Sequence, residues 1–192
     1  MQQQEELIND ILDRELKMFL TVPTMQKASC QEDPDSFKKI RRSHFMTWGR
    51  KTLNSYLEDL KEAEKDGRNL MRDKYARMDN LIPKLYDGPL IDQIVEIELK
   101  WQKYMFEQYP NLMGGARPLT SDQDTPFSTS FETYLKGELE SYSEKTLSCL
   151  YDDVKNAFEK GENVTEKLYV NMVKQMGYSS IDDAEAVAKK RK

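Results

Sequence analysis

One stretch of the chain occurs twice, and this repetition limits the folds that the chain can adopt. YLEDLKEAEKDGRNLMRDKYARM covers residues 56–78, and LYDDVKNAFEKGENVTEKLYVNM covers residues 150–172, at an offset of ninety-four. A self-match at a fixed offset is typical of tandem structural units, so we predict two similar units. The shared landmarks are Asp59/Asp153, Lys61/Lys155, Ala63/Ala157, Gly67/Gly161, Asn69/Asn163, Tyr75/Tyr169 and Met78/Met172.

A second match extends each unit towards its start. LINDILDRELKM at residues 7–18 and LIDQIVEIELKW at residues 90–101 share an offset of eighty-three, which pairs Glu15 with Glu98. Each glutamate lies inside an apolar stripe with helical spacing, so both are predicted on a buried face. The offset then grows because residues 109–128, rich in proline and glycine, form a longer irregular connection in the second unit.

The apolar residues recur with helical spacing, and no stretch alternates over enough residues to predict a strand. We therefore predict an all-α helical bundle in one domain over residues 1–192, with a turn at Asp87-Gly88-Pro89 between the halves. Gly67 and Gly161 are expected to end helices, and Asn69 and Asn163 to begin the next ones. The predicted units are two three-helix repeats at about 5–80 and 89–177, followed by a terminal helix at about 180–190.

The predicted helices have these bounds. The first helix covers about 4–20, and its counterpart begins at Leu90. A long helix runs from Asp33 to Glu64 with a candidate kink at Gly49, and its counterpart covers 130–158 with a candidate break at 141–143. The third helices cover about 70–79 and 164–177.

Composition excludes several classes of function. The formal net charge is -5, with acidic and basic residues mixed along the whole chain, so the basic stripe that nucleic acid requires is lacking and we predict no nucleic-acid partner. No apolar run approaches the ~18 residues of a membrane span, and we predict no membrane association. The start of the chain has no signal-peptide pattern and there are only two cysteines, which predicts a cytoplasmic location. The basic run at 189–192 is interpreted as a helix end.

Polar side chains also lie on the predicted inward face of the long helix. At helical spacing, Arg41 and His44 lie on the same face of the helix as the apolar residues. The matching positions of the second unit are Leu135 and Glu138. If the two units pack about a pseudo-twofold axis, these groups converge with the two inward glutamates between the halves. The candidate ligand-binding residues are Glu15, Arg41, His44, Trp48, Glu98, Tyr134, Glu138 and Tyr142.

Several interpretations of this set compete. In the first, the charges form a closed and purely structural ion-pair network, because a lone buried charge is costly. In the second, they line a pocket for a small polar or cationic ligand, with aromatic walls and carboxylates that could also act as acid or base. A di-iron type of metal site would need Glu-x-x-His pairs, and His44 is the single histidine; no metal ligands are therefore assigned. An adaptable protein-interaction surface is a further alternative.

Cys30 is a weaker candidate for a nucleophile. It lies in a polar segment shortly before the predicted helix start at Asp33, where a thiol can be activated. No phosphate loop, nucleophile elbow, zinc motif or Rossmann turn is present. The sequence therefore names neither a reaction nor a cofactor, and it leaves open whether the protein is an enzyme.

Three segments of the sequence resemble one uncharacterised family. KASCQEDPDSFKKIRRSHFMTW, GRNLMRDKYARM and TSFETYLKGELESYS are similar to a bacterial domain of unknown function, numbered four-one-two-five, and the similarity covers about residues 7–178. The resemblance implies an accessory or substrate-binding domain that works with a nucleotidyltransferase-like partner. It also implies glutamine where this chain has His44, and this departure from the family pattern counts against a role that requires an imidazole there.

Overall fold

The computed structural model describes residues 2–22 and 33–191. Within these residues the chain forms α-helices joined by turns, two short 3₁₀ helices at Leu112–Gly115 and Ser121–Gln123, and no strand. The all-α prediction is confirmed. The α-helices are α1 (Gln2–Leu20), α2 (Pro34–Phe45), α3 (Arg50–Lys65), α4 (Leu70–Met78), α5 (Leu90–Gln108), α6 (Phe131–Leu139), α7 (Glu144–Glu159), α8 (Val164–Gln175) and α9 (Ile181–Lys190).

The helix ends follow from the turn residues. Gly67 and Gly161, after α3 and α7, have φ angles of 68° and 71°, a region in which a side chain is disfavoured. Asn69 and Asn163 then cap α4 and α8, since their side chains accept bonds from the backbone amides of the first turn. These positions turn the chain, as predicted.

The long helix predicted in each half is interrupted. In the first half the chain leaves the helix after Phe45 and re-enters it at Arg50, and the interruption includes Gly49. In the second half the interruption covers residues 140–143. Each half therefore contains four helices, not the three that we predicted.

The two halves share bounds and contacts at matched positions. Helices α3 and α7 have equal lengths and begin ninety-four residues apart. The Asn69 side chain donates to the carbonyl of Met18 at 2.8 Å, and the Asn163 side chain donates to the carbonyl of Trp101 at 3.4 Å. Met18 and Trp101 are themselves paired by the sequence match.

The helices of the two halves pack across each other. Helix α1 contacts α2, α3 and α4, while α5 contacts α6, α7 and α8. Between the halves, α3 packs on α7, α4 on α6, and α8 on α2. One apolar cluster, with Phe45, Tyr56 and Tyr142 among its fully buried side chains, spans both halves, so the halves share a core. A smaller cluster lies beneath α9.

None of the helices in the described part of the chain is both long enough and apolar enough to cross a membrane.

Candidate functional site

A buried ion-pair network links the two halves at Arg41. The guanidinium of this α2 residue donates to both carboxylate oxygens of Glu15 on α1, at 2.8 and 2.6 Å. Its third bond, at 2.8 Å, reaches Glu138 on α6. The planar, forked shape of the guanidinium suits this paired contact with a carboxylate.

Three further side chains complete the network. Lys74 on α4 donates to Glu138 at 2.6 Å. The hydroxyl of Tyr56 donates to Glu15 at 2.6 Å, and that of Tyr142 donates to Glu138 at 2.7 Å. Two carboxylates thus face two cations, and no buried side-chain nitrogen or oxygen in the described residues lacks a partner. We refer to these six residues as the Arg41 network.

The electrostatics of the Arg41 network favour its charged form. Burial alone would raise the pKa of Glu138, but Arg41 and Lys74 hold it well below its usual range. Burial and the neighbouring carboxylates raise the pKa values of Tyr56 and Tyr142 well above the usual one. The tyrosines therefore remain neutral donors, and the charges of the network are paired with one another in the manner of a structural ion-pair cluster.

Tyr134 lies against this network without bonding to its carboxylates. The Lys74 ammonium lies 3.5 Å from the centroid of its ring, and the Arg117 guanidinium lies 4.4 Å from the same centroid. A ring between two cations stabilises them through its negative faces. Tyr134 thus supports Lys74 and does not line the larger cavity described next.

An open cavity of about 510 Å³ lies between the halves, next to the Arg41 network. Its walls come from the chain between α2 and α3, from α5, from α7, and from the start of α8. Three of the predicted residues line it, namely His44, Trp48 and Glu98. We call it the Glu98 cavity. The predicted single site is therefore divided: Glu15, Arg41, Glu138 and Tyr142 belong to the closed network, and Glu98 does not.

Glu98 is poorly satisfied for a half-buried carboxylate. It accepts one long hydrogen bond, of 3.3 Å, from the hydroxyl of Thr165 on α8. Burial raises its pKa from 4.5 to about 7, and among the described residues only the Thr165 bond opposes this rise. A carboxyl with such a pKa exchanges its proton near neutral pH and gains from a cation placed beside it.

His44 lies between the network and the cavity. Its imidazole packs edge-on against Trp48 at 5.3 Å between ring centroids and makes no hydrogen bond to a described residue. Burial and the nearby Arg41 lower its pKa to about 4, in spite of Glu138. The ring is therefore neutral at pH 7 and supplies no positive charge to Glu98.

Asp153 on α7 is a cavity residue that we did not select from the sequence. Its carboxylate accepts bonds from the backbone amide of Gly49 at 2.7 Å and from the Thr52 hydroxyl at 2.6 Å. A Cβ at Gly49 would meet this carboxylate at 2.5 Å, so a larger residue there would displace the carboxylate from these bonds. The signal was available, because Asp153 is one of the matched landmarks. Lys160 and Thr165 also line the cavity and carried no signal of their own.

A comparison of matched positions explains why the cavity is open. Glu15 is bound by Arg41 and Tyr56, whose counterparts in the second half are Leu135 and Leu150. The second half therefore has neither the guanidinium nor the hydroxyl that would bind Glu98. Leu150 instead forms part of the cavity wall.

The remaining candidates do not add to this site. Cys30 lies outside the described residues. Cys149, a half-buried free thiol, lies on α7 at the position matched by Ser55. Within residues 2–22 and 33–191, no group of three histidine, cysteine or acidic side chains is placed to hold a metal ion.

Comparison with known proteins gives a family and no activity. No curated protein and no solved structure matches the chain. A family described as "Protein of unknown function (DUF4125)" matches residues 5–186, which include every residue of the Arg41 network and of the Glu98 cavity. The chain therefore belongs to the DUF4125 family.

Proposed function

We propose that the protein is a small-ligand-binding domain that takes a cationic amine into the Glu98 cavity. The observation that carries this proposal is the half-buried carboxylate of Glu98, to which the described residues supply a single long hydrogen bond and no cation. Buried carboxylates are normally paired, and the matched Glu15 is paired. An ammonium group from a ligand would supply the missing partner.

The rest of the cavity suits a small amphipathic molecule. Its volume of about 510 Å³ falls within the usual range for ligand sites. Buried Trp48, Leu150 and Val154 give it apolar walls, which suit the alkyl part of an alkylammonium ligand. Lys160 at the exposed edge could meet an anionic group at the other end of a zwitterionic ligand.

Calorimetric titration with alkylamines, amino acids and nucleotides tests the proposal. We expect amines to bind to the wild-type protein and to lose at least about tenfold in affinity in Glu98→Gln, the equivalent of roughly 1.4 kcal/mol. Affinity should rise as the pH increases through 7, because only ionised Glu98 pairs with an ammonium. The matched control is Glu107→Gln, an equal charge change on an exposed part of α5 that lines no cavity. The absence of amine binding would overturn the proposal.

We further propose, from the family resemblance, that the domain acts as a bacterial cytoplasmic accessory to a nucleotidyltransferase-like partner. In this role the ligand would be presented to the partner and not transformed by the domain itself. Co-elution of the two proteins on size exclusion, strengthened by the bound amine, is the expected result. Separate elution with and without amine would contradict the accessory role and leave the ligand site standing.

We also infer that the chain arose by internal duplication of a helical unit. Support comes from the ninety-four-residue spacing of α3 and α7, the paired glycine turns, and the paired asparagine contacts to Met18 and Trp101. On this view the Glu98 cavity lies between the repeats. In the first unit, the side chains of Arg41 and Tyr56 occupy the position that corresponds to this cavity.

A further inference from the structure

A second cavity, of about 330 Å³, lies beside the first. Trp101 and Tyr104 on α5 and Phe158 on α7 line it, together with Glu166 on α8. We call it the Trp101 cavity. Glu162, in the turn between α7 and α8, lines both cavities, so the two adjoin along this turn.

The walls of the Trp101 cavity are suited to a cation. The rings of Trp101 and Phe158 are tilted by 55° with centroids 6.4 Å apart, and they form an aromatic corner. Tyr104 is 40% exposed and Phe158 43% exposed, so their faces are accessible. The ammonium of Lys100 already lies 5.4 Å from the centroid of Phe158, an internal example of the contact that the corner offers.

The Trp101 cavity also has a carboxylate without a cation. Glu166 accepts a bond of 3.0 Å from the hydroxyl of Tyr109 and forms no ion pair with a described residue. Burial and this contact with Glu166 raise the pKa of Tyr109 to about 12, so it is a neutral donor. Glu162, by contrast, is neutralised by Lys167.

The two cavities thus repeat one arrangement. Each has one of the two tryptophans of the chain, and each has one carboxylate that is held by a single hydroxyl and paired with no cation. Along α5, Glu98 and Tyr104 are six residues apart, which corresponds to about 9 Å along the helix axis. An extended aliphatic molecule bound at Glu98 is therefore long enough to reach the level of Tyr104.

We propose that the two cavities form the two ends of one site for a linear aliphatic diamine or polyamine. One ammonium pairs with Glu98 beside Trp48, and the other pairs with Glu166 against the aromatic corner at Trp101. The methylene chain passes the turn at Glu162. The inference rests on the proposed function for the Glu98 end and adds the identity of the ligand class.

Calorimetric titration with α,ω-diamines of increasing length, with spermidine, and with monoamines of matched length tests this inference. Diamine affinity should pass through a maximum at an intermediate chain length and exceed that of the matched monoamine by about tenfold there, since one further ion pair and one cation–aromatic contact are made. Glu166→Gln should reduce diamine affinity to the monoamine level and leave monoamine affinity unchanged. Glu98→Gln should weaken both, and Glu107→Gln neither.

Single-tryptophan variants give a second measurement that does not depend on Glu166. With Trp48→Phe, the fluorescence of Trp101 should respond to diamines but not to monoamines. Equal affinity for diamines and monoamines, no optimum in chain length, or an unresponsive Trp101 would overturn the two-ended site while leaving amine binding at Glu98 intact. Binding of neither class would overturn the proposed function as well.

Discussion

Glu15 and Glu98 occupy matched positions on α1 and α5, yet their surroundings are opposite. Glu15 is fully buried and accepts three short bonds from Arg41 and Tyr56. Glu98 is half-buried and accepts one long bond from Thr165. The same helical position thus completes the core in one half and is left open in the other.

The difference arises from the partners and not from the glutamates. Leucines replace the guanidinium and the hydroxyl in the second half, at positions 135 and 150. A buried charge that loses its partners is costly, and the pKa of Glu98 near 7 reflects that cost. A site that is costly when empty is one that a cationic ligand can stabilise.

Removal of the central cation of the first half should have the largest effect. Arg41→Met leaves Glu15 and Glu138 buried without their shared partner, and we expect the free energy of unfolding to fall by about 3–5 kcal/mol. Urea denaturation measures this change. Arg42→Met, next in the chain, breaks a more exposed pair with Glu5 and should cost no more than about 1 kcal/mol. Equal decreases in the free energy of unfolding of the two variants would show that the buried Arg41 network stabilises the protein no more than an exposed ion pair does.

The matched pair of glutamates can be compared directly. Glu15→Gln should lower the free energy of unfolding at pH 8 by roughly 3 kcal/mol, because Arg41 loses its paired contact. Glu98→Gln should be neutral or stabilising, because it removes an ionised carboxylate that lacks a cation. Denaturation of both variants at the same pH tests the contrast, which fails if Glu98→Gln is as damaging as Glu15→Gln.

One substitution should make the second half resemble the first. Leu150→Tyr introduces the hydroxyl that Tyr56 provides for Glu15, at a wall of the Glu98 cavity. We expect amine affinity to fall at least about tenfold and the free energy of unfolding to change by no more than about 1 kcal/mol. Leu150→Met keeps the side-chain volume and is the control. Undiminished amine binding by a folded Leu150→Tyr protein would contradict the assignment of the cavity.

Glu98 should also make the stability of the protein depend on pH. The pKa of Glu98 is raised from 4.5 to about 7 in the folded protein, so the folded protein retains a proton that the unfolded chain releases in that interval. This proton makes its full contribution to the free energy of unfolding below pH 4.5, and the contribution is lost as the pH rises to 7. The stability of the wild type relative to Glu98→Gln should decline over that range and remain constant above it, as measured by denaturation at a series of pH values.

His44 should act with the opposite sign. Its pKa is lowered from 6.5 to about 4, so the unfolded chain takes up a proton first as the pH falls. Stability is therefore lost between pH 6.5 and 4, and His44→Gln should abolish that loss. If the two variants gave the same pH profile, the two residues would not have the separate environments described above.

Local signals predicted most of the fold. Glycines that end helices, asparagines that cap them and the helical spacing of apolar residues all depend on residues close together in the chain. The helices and their ends could therefore be predicted from the sequence. The inward position of Glu15 and Glu98 also follows from spacing alone. The division of each long helix was visible only as a candidate kink, because a glycine or serine permits a break without requiring one.

The partners of the inward charges could not be predicted in the same way. Arg41 and Glu138 are ninety-seven residues apart, and their contact depends on how the two halves are aligned across the core. Lys74 lies on a helix whose sequence gave no sign that its ammonium is buried. We therefore selected the inward polar residues as one group and could not divide them between an ion-pair network and a cavity.

At each of the two helix interruptions, a backbone amide of one half donates a hydrogen bond to a carboxylate of the other half. Asp153 of the second half binds the amide of Gly49 ahead of α3, and Asp59 of the first half binds the amide of Ser143 ahead of α7 at 3.1 Å. Each half therefore lacks an acceptor that only the other provides. If the chain arose by the duplication proposed above, a half expressed alone should recover this acceptor by pairing with a second copy of itself, as in a dimer whose subunits are not covalently linked.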